Sequence, residues 1–296
     1  MRFLLAVLVV ALFAPAAARA CSMCQCGDPT YRMMGDDFFA AQAWRFSVNV
    51  DRRSKDQVSE DDPAAREKET ENRVTLSGSW QPFARLRLVG RVPLAERRID
   101  DPAGRATLSG ISDPDVFAHV NLLESGNAAS GWWLAAMLGV KTAWGQNERT
   151  VGGVRAEEHL QPGSGATSTF AGLAWAHGIG GAAHVYASAT GRWNGANDHG
   201  YTYGDALLAT LSYQRALAPS LSGSLELDYR ASAHDRVNGV RDPNTGGSLL
   251  YASPKVQIAL AAPIGLQLGA QIPVAPNLYG DQREFANFES GLVLSF

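Results

Sequence analysis

The sequence is poor in several things at once. It has three cysteines in 296 residues, and all three fall within six positions near the amino end. It has no basic excess, since 26 Lys and Arg stand against 29 Asp and Glu. That balance excludes a nucleic-acid binder, which needs a basic surface. Beyond its first twenty residues the chain lacks any stretch approaching the roughly 20 apolar residues of a membrane-crossing helix. It lacks the spacing of a calcium loop, and Gln25 stands where haem attachment through C-x-x-C-H would need histidine. Ser188 with His184, and Ser232 with His234, share strand faces but have no visible orienting partner, so no catalysis is expected.

The opening residues carry their own signal. Met1 to Ala20 has a basic start at Arg2, an apolar run from Phe3 to Ala14 and the small-residue ending Ala18-Arg19-Ala20. That is the pattern of a secretory signal peptide, and it excludes a cytosolic enzyme. Residues 21–43 lack strand alternation and read as a cysteine-containing leader that hangs in the periplasm or folds into the pore mouth as a plug. Residues 44–296 read as one further unit.

That unit alternates with a period of two. In Leu221–Ala231 the odd positions Leu221, Leu225, Leu227 and Tyr229 oppose Ser222, Ser224, Glu226, Asp228 and Arg230. Trp44, Phe46, Val48 and Val50 oppose Arg45, Ser47, Asn49 and Asp51, and Leu86 to Leu94 repeats the pattern against Arg85, Arg87 and Arg91. Such segments are half-buried strands. About twelve occur, near 44–54, 73–82, 85–95, 113–123, 132–144, 167–178, 183–194, 204–217, 221–234, 249–261, 265–274 and 284–296. Their connections alternate between short turns and long polar loops, the latter near 55–72, 96–112, 145–166, 195–203, 235–248 and 275–283.

Short turns on one side and long loops on the other predict an all-β, transmembrane antiparallel barrel of about twelve strands in a bacterial outer membrane. A secreted β-sandwich would alternate too, but its strands need not sit between loops of alternating length. The even strand count places the amino terminus in the periplasm. The last strand ends on Phe296, and that ending resembles the signal read by the outer-membrane barrel assembly machinery. Trp44, Trp80, Trp132, Trp144, Trp193, Tyr213 and Tyr229 fall near strand ends, as girdle residues at the lipid interface do.

If the apolar face meets lipid, the other face is the interior. Its residues include Arg45, Arg85, Arg87, Arg91, Lys141, His184, Arg192 and Arg230, with Arg73, His119 and Lys255. Facing them are Glu226, Asp228 and Glu289. The expectation is a polar, mostly cationic pore for small solutes with an anion-leaning field. The alternative is a non-conducting barrel, plugged by ion pairs, whose loops bind a partner. The acidic stretch Ser54 to Asn72 is expected to be a solvated loop.

Several segments resemble one family over most of residues 44–296. They are Gly110-Ile111-Ser112-Asp113-Pro114-Asp115, Leu160-Gln161-Pro162-Gly163-Ser164-Gly165, Tyr203-Gly204-Asp205-Ala206, Gly246 to Pro254 and Gln271-Ile272-Pro273-Val274. The series resembles the transporter-like outer-membrane barrels named for the meta-pathway of phenol degradation, with Ser112-Asp113 in place of the usual Gly-Asp. The resemblance implies a passive channel, and it implies no catalytic residues.

The cysteines stand apart from this pattern. Cys21, Cys24 and Cys26 form a C-x2-C-x-C array with Met23 inside it. Three thiolates and a thioether suit a soft ion, so Cu(I) or another soft metal is the expected ligand, ahead of zinc. Two other fates remain open. One is a disulfide, through Cys21–Cys24 or Cys21–Cys26, in an oxidising compartment. The other is a lipid anchor on Cys21.

Overall fold

The alternation is realised as a closed wall. A computed structural model describes residues 44–58, 66–102, 104–126, 130–180, 182–261 and 263–296. The strands are β1 (Trp44–Val58), β2 (Arg66–Phe83), β3 (Leu86–Asp101), β4 in two pieces (Gly104–Ile111 and Asp115–Ser125), β5 (Trp132–Lys141) and β6 (Ser168–Ile179). They continue as β7 (Ala183–Asn194), β8 (Ala206–Ala218), β9 (Leu221–Ser232), β10 (Gly247–Ala261), β11 (Ile264–Leu278) and β12 (Asn287–Ser295). Each pairs antiparallel with its sequence neighbours. The ring closes because β1 pairs β2 from Trp44↔Trp80 to Val58↔Arg66 and pairs β12 from Arg45↔Ser295 to Arg52↔Phe288. The result is a twelve-stranded antiparallel barrel. Closure gives every strand two neighbours, which is what a sheet in lipid requires.

The period of two decides which residues face which way. Phe46, Val48 and Val50 on β1, Val74 and Leu76 on β2, and Val92 and Leu94 on β3 are exposed on the outer surface. Their sequence neighbours Arg73, Ala95 and Arg97 are buried within. On β9 the outward Leu225, Leu227 and Tyr229 alternate with the buried Glu226, Asp228 and Arg230. A one-residue slip would put charges against lipid, so register is strongly specified.

All twelve strands lie where the alternation predicts them. Two of the expected long loops, however, are strand. Lys55–Val58 pairs with Arg66–Glu69, and Glu96–Asp101 pairs with Gly104–Ser109. The hairpins β1–β2 and β3–β4 therefore rise well past the apolar band. Among the described residues of the acidic stretch, Glu67, Glu69 and Glu71 are not solvated as expected but buried on the inner face. Lys55 Nζ lies 2.8 Å from Glu69, Arg97 Nε 2.9 Å from Glu71 and Arg73 2.8 Å from Glu71. Charge density there misleads a reading by composition, because ion pairing lets alternating charged residues continue a strand.

The ladder shifts register at several points, and one of them lies between β3 and the two pieces of β4. Between the pairs Leu94↔Ile111 and Arg91↔Asp115, two residues of β3 oppose three of β4. Pro93 and Pro114 sit at this bulge and carry no N–H to donate, which is where proline is tolerated in a sheet. The long-loop end also holds two small hairpins. Thr150–Val151 pairs with Val154–Arg155, and Arg236–Val237 pairs with Val240–Arg241. Each turns through two residues of positive φ, Gly152-Gly153 and Asn238-Gly239, the signature of a type I′ turn.

Candidate channel interior and mouth

The inward residues do not form one compact site. They line β1, β3, β5, β7 and β9 at several heights. At the short-turn end, Arg45 Nε donates to Ser295 Oγ (3.1 Å) and Arg87 donates to Gln81 Oε1 (2.9 Å). His184 is half-buried on the inner face of β7. Arg85 is exposed at the rim, 3.9 Å from Glu124. Gln81, Arg85, Arg87, His119 and Asn121 surround a small recess there.

Higher up, charges are paired across neighbouring strands. Arg91 binds Asp115 through two bonds of 2.7 and 2.8 Å. Glu226 lies 2.5 Å from Lys255, which also reaches Glu289 at 3.0 Å. Asp228 accepts from Thr210 Oγ1 (2.8 Å) and Ser253 Oγ (2.6 Å), and Arg230 reaches Glu284 at 2.5 Å. Glu284 also accepts from the Tyr251 hydroxyl. The expected cationic interior is thus a mixed one. The carboxylates that balance it come partly from residues whose partners only the register reveals, such as Asp115, Glu71 and Glu284.

A second departure lies on the inner face of β3–β7. Val89, Phe117 and Phe170 form one buried apolar cluster, and Trp133, Ala135, Met137, Ala174 and Ala176 form another beside Tyr186. Arg91 and Arg192 lie over the rings of Phe117 (5.3 Å) and Phe170 (5.6 Å). Their desolvated guanidinium groups gain from the ring quadrupoles. The sequence signal was present in β5, where Trp133, Ala135 and Met137 make the inner face as apolar as the outer one.

The motifs that carried the family resemblance turn out to organise the mouth. Asp113, at the break in β4, accepts from Lys141 Nζ (2.8 Å), Ser164 N (2.8 Å) and Gly145 N (3.0 Å). It thereby pins both arms of the loop 142–167 to the wall. The arms approach so closely that a Cβ on Gly145 would lie 2.5 Å from Asp113 Oδ1, and one on Gly163 would lie 2.5 Å from Gly145. From this loop Glu158 and His159 are buried against two neighbouring loops. Asn197 Nδ2 donates to Glu158, Tyr203 OH donates to the Glu158 carbonyl, and Arg97 donates to the His159 carbonyl.

Asp235 completes the mouth. It accepts from Tyr201 OH (2.6 Å) and Gly204 N (2.7 Å), while Tyr201 OH lies 3.2 Å from His159 Nε2. Burial raises the Asp235 carboxyl to about 6 against the pull of those two hydrogen bonds. Burial, with Lys55 and Arg97 nearby, lowers His159 to about 3. At neutral pH the histidine is therefore uncharged and the carboxylate ionised.

Among the described residues no group of three or more His, Cys, Asp or Glu is placed to hold a metal ion. The Cys21, Met23, Cys24 and Cys26 array lies outside the described residues.

No family model matches the chain, and no curated protein matches it. Solved structures do. The fold is similar to that of the COG4313 outer membrane channel from Pseudomonas putida F1, with 15% identity over 89% of this chain and 100% of that one and a TM-score of 0.67. It is also similar to the transport unit of the autotransporter AIDA-I from Escherichia coli, with 11% identity over 90% and 94% of the chains and a TM-score of 0.51. At such identities the likeness is one of fold.

Proposed function

We propose that the chain is an outer-membrane channel for small solutes, set with its short turns and amino terminus in the periplasm and its long loops outside the cell. One observation carries this reading. The barrel wall separates an apolar outer face from an inner face of ion pairs, hydroxyls and amides, which is the arrangement of a wall between lipid and a polar passage. The inner residues Arg45, Arg87, Arg91, Lys141, His184, Arg192, Glu226, Asp228 and Arg230 then line the path, with Arg85 at its periplasmic rim. Because Arg91, Lys141 and Arg230 face carboxylates, as do Lys55, Arg73, Arg97 and Lys255 elsewhere on the inner face, discrimination between small anions and cations is weak. Solved structures of similar fold, an outer membrane channel among them, support the reading. So does the resemblance of the mouth motifs to the transporter-like phenol-degradation barrels.

The test is conductance of the purified barrel in planar bilayers under a salt gradient. A steady open-channel current with a reversal potential near zero is expected. A silent barrel overturns the channel reading, and a strongly selective current overturns the mixed lumen.

The soft-metal reading of Cys21, Met23, Cys24 and Cys26 rests on ligand chemistry alone. It is tested by metal content after copper challenge of the reduced protein and of a variant with serine at positions 21, 24 and 26. About one copper per chain, lost in the variant, supports it. Equal copper in the two proteins retires it. Recognition of the Phe296-ended strand by the barrel assembly machinery belongs to the same proposal.

A further inference from the structure

The outer face of the barrel changes character abruptly on one side, where β1, β2 and the residues preceding β12 meet. On β1 the outward positions run Trp44, Phe46, Val48, Val50, and then Arg52. Arg52 stands about 26 Å along the strand from Trp44 at some 3.3 Å per residue, close to the roughly 25 Å height of a barrel's apolar band. Directly opposite Arg52 is Phe288, exposed on the same face. Above them Asp56 faces Lys68 on one side and Arg283 on the other. The ammonium of Lys68 and the guanidinium of Arg283 both lie over the ring of Phe285, at 5.6 and 5.5 Å.

Charge on this patch is unbalanced. Asp56 is taken by Arg66 (3.2 Å), which also binds Asp281 (2.6 Å). Arg52, Lys68 and Arg283 are exposed and make no ion pair within 4 Å among the described residues, although Lys68 stands in register between Asp56 and Asp100, acids that are paired with Arg66 and with Arg98 and Arg105. The interior is different, for there most cations meet an acid. Two cations over the Phe285 ring and a third, Arg52, below them beside Phe288, on the outer side of the wall above the apolar band, do not serve the passage. Arg52 stands at the level of lipid phosphates with Lys68 and Arg283 above it, and basic surfaces at a membrane attract anionic headgroups.

We infer that this patch binds the phosphate-bearing headgroup of an outer-leaflet lipid. Arg52 meets the phosphate at the headgroup–acyl border, Lys68 and Arg283 hold charge above it, and Phe288, Val50 and Val74 pack against the acyl chains. The inference rests on the orientation proposed above, with the long loops outside the cell.

The experiment compares retention of bisphosphorylated lipid A with that of its dephosphorylated form by the full-length barrel in detergent, read by native mass spectrometry. The phosphorylated lipid should be held at least about tenfold more tightly. The triple variant Arg52→Gln, Lys68→Gln, Arg283→Gln should lose that preference. Arg66→Gln, whose cation is already paired, should keep it, and heat-modifiable migration on gels checks that each variant is folded. Equal retention of the two lipids overturns the proposal, as does a preference that survives in the triple variant. Displacement by stoichiometric inorganic phosphate overturns the lipid as the source. An epitope inserted between Gly152 and Gly153 reports orientation on intact cells, and bilayer conductance reports the channel. The lipid site and the channel can therefore fail separately.

Discussion

Single residues at the mouth carry opposed titrations. His159, lowered from 6.5 to about 3, contributes stability as a neutral ring above pH 6.5, and that contribution is lost as pH falls toward 3. Asp235, raised from 3.8 to about 6, works the other way: its contribution is full below 3.8 and is lost as pH rises through 6. Between pH 6 and 4 the two nearly cancel, so the clamp of loops should change little in the unaltered protein, and only because the histidine shift is the larger should acidification across the whole range from pH 8 to 3 loosen it. Hydrogen exchange or limited proteolysis of the loops 142–167 and 233–246 measures this. In His159→Gln the same acidification should instead tighten them, because only the carboxyl still titrates. Gly145→Ala is a second single-site test, since its Cβ meets Asp113 Oδ1 at 2.5 Å. A loss of about 1–3 kcal/mol should appear as a lower melting temperature, with the barrel strands still formed. The sequence displayed Asp113 and Ser164 as motif residues, did not single out Gly145, and did not show the three as one cluster. Gly145 and Ser164 lie 32 and 51 residues from Asp113 in the chain, and such a meeting is written in topology, not in local pattern.

Elements were far more legible than sites. Strand positions follow from a period of two that every lipid-facing strand must keep, so the amino-acid pattern alone locates β1 to β12. The hairpin extensions escape that pattern. Above the apolar band the outward face becomes polar through Arg52, Asn72 and Glu96, and alternation between polar and polar carries no hydropathy signal. What holds those extensions together is the buried ion ladder, and breaking it has a defined cost. Arg97→Met leaves Glu71 with Arg73 and, opposite it on β1, Arg53, so the loss should fall below the about 3–5 kcal/mol of a buried charge left with no partner. The β1–β2 and β3–β4 hairpins should then become protease-sensitive while the band below stays folded. The apolar inner patch was hidden for the converse reason: in β5 both faces are apolar, so alternation is absent where the lumen turns aromatic.

At the scale of the molecule the outer band is one continuous surface, and a charge placed in it should be felt by the entire barrel. Leu76→Arg, on the outward face of β2, should destabilise the folded state by about 2–4 kcal/mol near mid-band, read as a lower urea midpoint in lipid vesicles. The same substitution at the outward Asn72, above the band, should cost far less. Closure has a consequence of another kind. Arg45 pairs with Ser295 and Arg52 with Phe288, so the earliest strand of the barrel waits for the latest. No shorter chain can give β1 its second neighbour, and every chain that lacks β12 presents two raw edges, on β1 and on its own last strand. The barrel therefore has no stable half. Closure is thus gated by the last strand, and the one seam between β1 and β12 separates a sealed wall from an open sheet.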